Sequence, residues 1–264
     1  MQTNNLFSAQ RFVLLCKQSL IINKKRIAIF IGSYIGALSL VLAFFQSMGG
    51  FTVEKSNSCL LMFIFLFFAW GIIFASRAFP EFRSKEKCIS YLMLPATITE
   101  KFIFEFLVRI VLYLILMPLL FWIVPNLEGA IVHLFVPELV NYKFSFGYAA
   151  LKLMREVPAD TSGKIIYLVV QGVLFTFLVQ FMGAALFSKS SFLKTMLGIS
   201  LAAAGYTLFG YLLFKGLNLQ EYNAGKNVFY LDKGDAQLFF AILTSIVNLS
   251  LIAVAYFRLK EKEA

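Results

Sequence analysis

Apolar and polar residues are arranged along the chain in long blocks, without the short period of an amphipathic helix or strand. Six blocks are apolar over about the 20 residues that an α-helix needs to cross the hydrocarbon core of a bilayer. Short polar segments with most of the charges separate them. We therefore predict an all-α integral membrane protein with one transmembrane domain over residues 1–264 and six spans, at 26–46, 58–76, 103–125, 165–187, 193–214 and 237–257.

The composition favours a membrane protein over a soluble one. Hydrophobic residues make up 60% of the chain, whereas soluble domains contain about 45–50%. The net charge of +10 does not indicate nucleic-acid binding, because Lys and Arg flank the apolar blocks instead of lining one polar face. The cysteines Cys16, Cys59 and Cys88 have no CxxC spacing and no paired framework, which indicates reduced side chains.

The distribution of basic residues predicts the orientation of the spans. With a cytoplasmic N-terminus, fifteen Lys and Arg residues lie on the inner side and eight lie in the outer loops. Basic residues concentrate on the cytoplasmic side of membrane proteins, so this difference favours cytoplasmic N- and C-termini. No small-residue cleavage site follows a short apolar core near the N-terminus, and we expect no cleaved signal peptide. The predicted location is the inner (cytoplasmic) membrane, in contact with its lipids.

Three segments outside the spans have patterns of their own. Residues 1–25 are partly helical in pattern, which indicates either a cytoplasmic interfacial helix on the inner leaflet or a basic flank that sets topology. The outer segment 126–164 carries apolar residues throughout, so we expect one or two short helices that rest on the leaflet or cap the bundle. The last outer loop, 215–236, is rich in turn residues and is compatible with a short helix or a re-entrant piece.

The connection between the second and third spans is more ordered than a simple loop requires. Pro80 fits the first turn of a helix, and Pro95 prevents its continuation, which predicts a cytoplasmic helix over about 80–93. Thr97 and Glu100 have the S/T-x-x-E spacing of a capping box directly before an apolar run, so the next helix should begin there. The helix over 80–93 either lies on lipid or binds a soluble partner.

The sequence "YLMLPATITEKF", after a charged "EFRSKEK" and directly before the third of six spans, resembles the permease subunits of ABC-2 type transporters. The resemblance is to the small six-span permeases of Bacteroidetes type, which carry a "YLxLPxSxxEKF"-like segment at this place. Thr97 stands where Ser is common in those proteins. The layout of interfacial helix, connecting helix and last outer loop is also similar, whereas the long segment 126–164 departs from the family pattern.

The resemblance implies that the helix near 80–93 acts as a coupling helix, which binds a groove on a cytoplasmic ABC ATPase. It also implies a dimer with a second permease copy, identical or related, and export of a substrate. The cofactor, ATP with Mg²⁺, would be held by the ATPase partner and not by this chain. By position, the residues expected to contact the ATPase are Glu81, Phe82, Lys85, Glu86, Lys87, Tyr91 and Leu92.

The sequence lacks the motifs of P-loop nucleotide sites, HExxH metal sites and Ser-His-Asp triads. There is no G-x-x-x-x-G-K-[ST] segment, so we expect no P-loop nucleotide site in the chain. His133 is the single histidine, which argues against HExxH metal sites and against a Ser-His-Asp triad. We therefore predict no enzymatic activity and no catalytic, metal or cofactor residues.

A few polar residues lie within the predicted spans. Glu105 and Arg109 are four residues apart, so they share a helix face and can form an ion pair. This pair either lines a translocation path or has a structural role near the inner interface. Gln171, Gln180 and Asn248 can donate and accept hydrogen bonds between helices, for packing or for substrate contact.

Three functions remain compatible with the sequence. The first is the ATP-driven exporter implied by the resemblance, and the second is a membrane scaffold that recruits a cytoplasmic partner without transport. A secondary transporter is less consistent with the spans, which have few ionisable groups and no visible inverted repeat.

Overall fold

The computed structural model describes residues 7–47, 56–83, 89, 96–135, 144–146, 159–216 and 233–263. The described residues are helical almost throughout. Their α-helices are α1 (Ala9–Ser47), α2 (Ser56–Ser76), α3 (Ile98–Phe106), α4 (Leu112–Phe135), α5 (Ala159–Leu186), α6 (Ser191–Gly216) and α7 (Lys233–Glu263). Each of the six apolar blocks lies in one of these helices or, for the third, in α3 and α4 together.

The described helices fit a multi-pass membrane protein. Five helical segments are long and apolar enough to cross a bilayer, judged by length and composition. α2 has 21 residues and a shorter apolar stretch, Leu61–Ser76. Many large apolar side chains of these helices are exposed on the surface of the bundle, which is costly in water and favourable in lipid.

α1 is one continuous helix of 39 residues. The expectation of a separate interfacial helix within residues 1–25 is therefore wrong, because the helix passes from Ala9 into the first apolar block without a break. No glycine or proline lies between Ala9 and Ile31, so nothing in this stretch ends a helix. At about 1.5 Å per residue α1 is much longer than a bilayer core, and part of it must extend beyond the core.

α2 is followed by a tight turn. Phe79 has a left-handed backbone conformation, with φ of 53°, which costs a non-glycine residue roughly 1–2 kcal/mol. Its buried ring lies 5.1 Å from that of Phe181 and offsets this cost. A 3₁₀-helix, Pro80–Arg83, follows directly, so helical structure begins at Pro80 as predicted. Most of the remainder of the predicted helix over 80–93 lies outside the described residues.

α3 and α4 are joined by a π-helical turn, Leu107–Val111, into one continuous helix over 98–135. α4 contains Pro118 and Pro125 in its interior, which transmembrane helices tolerate because neighbouring groups satisfy the freed carbonyls. The predicted span at 103–125 lies within this helix, and the first ten residues of the predicted outer segment 126–164 continue it.

Part of the predicted outer segment packs against α4. The backbone N–H of Phe144 donates to Asn126 Oδ1 at 2.9 Å, and Asn126 Nδ2 donates to the carbonyl of Phe144 at 3.2 Å. The ring of Phe144 is buried against Phe121, with 5.2 Å between ring centroids. Residue Phe144 therefore packs against α4. Most of the other residues of 126–164 lie outside the described ones, so the expected short helices stay a prediction.

Two apolar clusters hold the helices together. One joins α1, α2, α4 and α5 around the following buried side chains: Tyr34, Leu38, Phe67, Tyr113, Phe121 and Phe177. The other joins α3, α5, α7 and the turn after α2 around these: Phe79, Phe102, Ile110, Phe181, Ala255 and Leu259. The second cluster lies where the second, third, fourth and sixth spans have their predicted cytoplasmic ends, and it positions the site described next.

Candidate functional site at the predicted cytoplasmic end

Glu100 connects the beginnings of two helices. Its Oε2 accepts a hydrogen bond from the backbone N–H of Thr97 at 2.9 Å, and its own N–H donates to Thr97 Oγ1 at 3.3 Å, which completes the predicted capping box. Its Oε1 accepts from the backbone N–H of Ser8 at 2.8 Å and from Arg11 Nη2 at 3.2 Å. The carboxylate is fully buried, so this one group fixes the start of α1 against the start of α3.

The 3₁₀-helix Pro80–Arg83 contacts several helices at once. The ring of Phe82 packs against the second cluster and lies 5.6 Å from Lys262 Nζ. Lys262 also donates to the carbonyl of Ala185, at 2.6 Å, in the last turn of α5. A cation at the C-terminal end of a helix is favoured by the helix dipole, so Lys262 stabilises the junction of α5, α7 and the turn.

Glu81 is the acidic residue of this turn, and its carboxylate is largely removed from solvent. Burial raises the pKa of Glu81, and the neighbouring carboxylate of Glu105 raises it further, against the opposing effect of Arg109 and Arg26. The Oε2 atom of Glu81 is buried without a hydrogen-bond partner among the described residues. The geometry therefore holds a carboxyl group that takes up a proton more readily than an ordinary glutamate.

Glu105 and Arg109 pair as predicted. Arg109 Nε donates to Glu105 Oε2 at 3.1 Å across one helical turn, and both side chains are mostly buried. The Arg109 guanidinium also stacks over the ring of Phe74, 4.7 Å from its centroid. Arg109 lies within the π-helical turn, a form that occurs often at functional sites.

These residues border a cavity of about 470 Å³ between α1, the end of α2 and the continuous helix 98–135. Three arginines line it, namely Arg26, Arg77 and Arg109, together with the single carboxylate of Glu105. Ser19 and Asn23 add polar groups from α1. The rest of the wall is apolar and includes the following residues: Leu20, Ile27, Phe30, Phe74, Pro80, Phe104 and Val108. The cavity thus combines a positive charge with an apolar wall.

The remaining polar residues of the spans contribute to packing between helices. Asn248 Nδ2 donates to Gln171 Oε1 at 2.7 Å and to the carbonyl of Gln171 at 3.1 Å, so the predicted interhelical hydrogen bond links α5 and α7. Gln180 is buried, and its Oε1 has no hydrogen-bond partner among the described residues. The structure does not bring these three residues to the arginine-lined cavity.

Of the seven residues expected to contact an ATPase, Glu81 and Phe82 lie in the described turn. The other five, Lys85, Glu86, Lys87, Tyr91 and Leu92, lie outside the described residues. In the sequence, Arg26 and Arg77 are flanking charges at the ends of apolar blocks, which predicts only a role in topology. The cavity that they share with Arg109 is not predicted. Their positions after and before apolar blocks are typical of any span end, so no local signal identifies the cavity.

Among the described residues, no group of three or more His, Cys, Asp or Glu side chains is arranged to hold a metal ion. Comparison of the chain with known proteins found no matching family model, no matching curated protein and no matching solved structure. The resemblance to ABC-2 permeases therefore rests on the segment around Pro95 and on the layout of the apolar blocks.

Proposed function

We propose that the chain is the permease subunit of an ATP-driven ABC-2 type exporter of the inner membrane. It would cross the membrane six times, with both termini in the cytoplasm. Two permease copies, identical or related, would form the path, and two cytoplasmic ATPases with bound ATP and Mg²⁺ would drive it. The segment from Pro80 towards Pro95 would receive the motion of the ATPase.

The observation that supports this proposal is the packing of the turn before that segment. Phe79 lies 5.1 Å from Phe181 of α5 and 6.5 Å from Phe102 of α3, and Phe82 contacts Lys262 of α7. A force applied to the segment after Arg83 would therefore reach three helices through buried aromatic contacts. Close-packed side chains transmit displacement because they have no free volume in which to absorb it.

The other end of the segment is anchored as well. The capping box of Thr97 and Glu100 fixes the start of α3, and Glu100 is bonded in turn to the start of α1. A segment held at both ends by buried contacts is suited to pass motion into the bundle. A connection that only joined two spans would not need anchors of this kind.

The proposal is tested by tagging the full chain, solubilising it in mild detergent from its native membrane and quantifying the proteins that copurify. A P-loop ATPase at about one copy per permease is the expected result. The variant Lys85→Glu/Lys87→Glu should lose the ATPase while still inserting into the membrane. The control Lys189→Glu/Lys194→Glu makes the same charge change on the same predicted side, at exposed positions just before α6 and in its first turn, and should retain it.

Three outcomes would count against the proposal. If no ATPase copurifies under conditions that preserve other membrane complexes, the alternative of a non-transporting scaffold replaces it. If an ATPase copurifies but its turnover in proteoliposomes is the same with and without the permease, the chain recruits the enzyme without being driven by it. Equal loss in both double variants would place the docking surface outside the segment 80–93.

A further inference from the structure

The arginine-lined cavity has more positive charge than its own residues neutralise. Three guanidinium groups, those of Arg26, Arg77 and Arg109, face one lining carboxylate, Glu105. Glu81 is close enough to interact electrostatically with Arg26 and Arg109. Even with both carboxylates ionised, one positive charge remains uncompensated within the described part of the site.

The three arginines differ in how far they are already engaged. Arg109 is held by Glu105 and Phe74. Arg26 has one long hydrogen bond, from Nη1 to Asn23 Oδ1 at 3.4 Å. The guanidinium of Arg77 makes no hydrogen bond or ion pair with any described residue, and its side chain is exposed at the edge of the cavity. Arg26 and Arg77 are therefore available to donate to a ligand, while Arg109 supplies charge from a fixed position.

The polar residues of α1 add donors on the same side. Ser19, Asn23 and Arg26 follow at spacings of four and three residues, so they lie on one helix face. Asn23 Nδ2 contacts Ser19 Oγ at 3.3 Å, which leaves the hydroxyl hydrogen of Ser19 free to turn towards the cavity. A planar guanidinium with two forked donors matches the oxygen atoms of a phosphate better than any other side chain.

We propose that this cavity binds a phosphate group. The apolar wall favours a phosphate carried by a lipid, because Ile27 and Phe30 follow Arg26 along α1 into the first apolar block and would contact acyl chains. Basic pockets between transmembrane helices are a known type of site for anionic headgroups. The volume of about 470 Å³ lies within the roughly 300–1,000 Å³ of small-molecule sites. This inference does not depend on the proposed export function or on the orientation of the chain.

The test uses the full chain, delipidated in a neutral detergent, and measures thermal unfolding by intrinsic fluorescence during three separate titrations. The ligands are short-chain phosphatidylglycerol, short-chain phosphatidylcholine and inorganic phosphate. Phosphatidylglycerol should raise the unfolding temperature at lower concentration than phosphatidylcholine does. A response to inorganic phosphate that equals the response to phosphatidylglycerol would assign the site to the soluble anion, and a response to the lipid alone would assign it to a headgroup.

The variant Arg77→Gln should weaken the response about tenfold, since a hydrogen bond to a charged group accounts for about that factor in affinity. Arg77 is exposed, so the variant should fold, and Arg26→Gln provides a second variant in the same cavity.

The matched control is Arg258→Gln on α7, which removes the same charge from an exposed arginine that does not line the cavity. If Arg77→Gln and Arg26→Gln respond like Arg258→Gln, anionic lipids bind through general surface charge and the proposal is wrong. A response to phosphatidylcholine that equals the response to phosphatidylglycerol and is unchanged in Arg77→Gln would show binding through the acyl chains and would also overturn it.

Discussion

The carboxylate of Glu100 accepts a hydrogen bond from the backbone N–H of Ser8, which precedes it by 92 residues, at a distance of 2.8 Å. The same carboxylate closes the capping box of its own helix. One buried side chain thereby accepts hydrogen bonds from backbone N–H groups at the starts of two helices, α1 and α3, which have no acceptor within their own helix. This contact sets where the long first helix meets the helix that begins after Pro95.

Replacing Glu100 should destabilise the protein strongly. Glu100→Ala removes the acceptor for the backbone N–H groups of Ser8 and Thr97, and each buried donor left unsatisfied costs about 1–3 kcal/mol. It also removes one partner of Arg11, whose side chain is partly exposed. The unfolding temperature in detergent, followed by intrinsic fluorescence, measures the effect. Glu261→Ala is the control, because its ion pair with Arg258 is exposed and should matter little. Similar unfolding temperatures for the two variants would show that the Glu100 contact does not hold the helices.

The close approach of α5 and α6 predicts different effects for two glycine substitutions. A Cβ atom at Gly183 would overlap the side chain of Thr195, whose hydroxyl already donates to the carbonyl of Ser191 at 2.7 Å. Gly183→Ala should therefore separate the helices and cost about 1–3 kcal/mol. Gly205→Ala, on α6, meets nothing within 4 Å and should be neutral or slightly stabilising. The two variants are compared by thermal unfolding, and equal values would contradict the observed contact.

The raised pKa of Glu81 predicts a specific dependence of stability on pH. The folded state binds the proton of Glu81 more tightly than the unfolded state does. The protonated carboxyl group therefore contributes fully to stability below its ordinary pKa of 4.5, and this contribution is lost as pH rises through the raised pKa. Glu81→Gln keeps the shape of the side chain and removes the titration. The variant should match the wild type at low pH and become more stable than it as pH rises.

The measurement is the unfolding temperature of both proteins over a series of pH values from about 4 upward. Taking the difference between the variant and the wild type cancels the effect of titrating groups that do not interact with Glu81. A difference that stays constant with pH would show that burial of Glu81 has no effect on its protonation.

The sequence predicts the local parts of this structure well. The capping box of Thr97 and Glu100 and the pair of Glu105 and Arg109 follow from spacing along one helix, and both are present. The six apolar blocks predict helices for the same reason, since their length and composition are local properties. The weak amphipathicity before the first apolar block favours a separate helix, whereas α1 is continuous because no residue between Ala9 and Ile31 breaks it.

Contacts between distant parts of the chain could not be predicted in the same way. In a membrane protein the faces that contact lipid are as apolar as those that contact other helices, so hydrophobic periodicity does not identify the packed face. The bond between Ser8 and Glu100 and the convergence of Arg26 with Arg77 depend on that packing. Both therefore become visible only when the helices are placed together.

A double-mutant cycle at Asn248 and Gln171 tests whether the hydrogen bond between them serves helix packing or substrate contact. If this bond only joins α5 and α7, the variants Asn248→Ala and Gln171→Ala should each destabilise the protein, and the double variant should cost less than their sum. The coupling energy should be about 0.6 kcal/mol and at most about 1.7, the range for interhelical hydrogen bonds in membranes. Unfolding of the four proteins in detergent gives this value. A coupling near zero, together with altered transport by the reconstituted protein, would assign the two side chains to the substrate path instead.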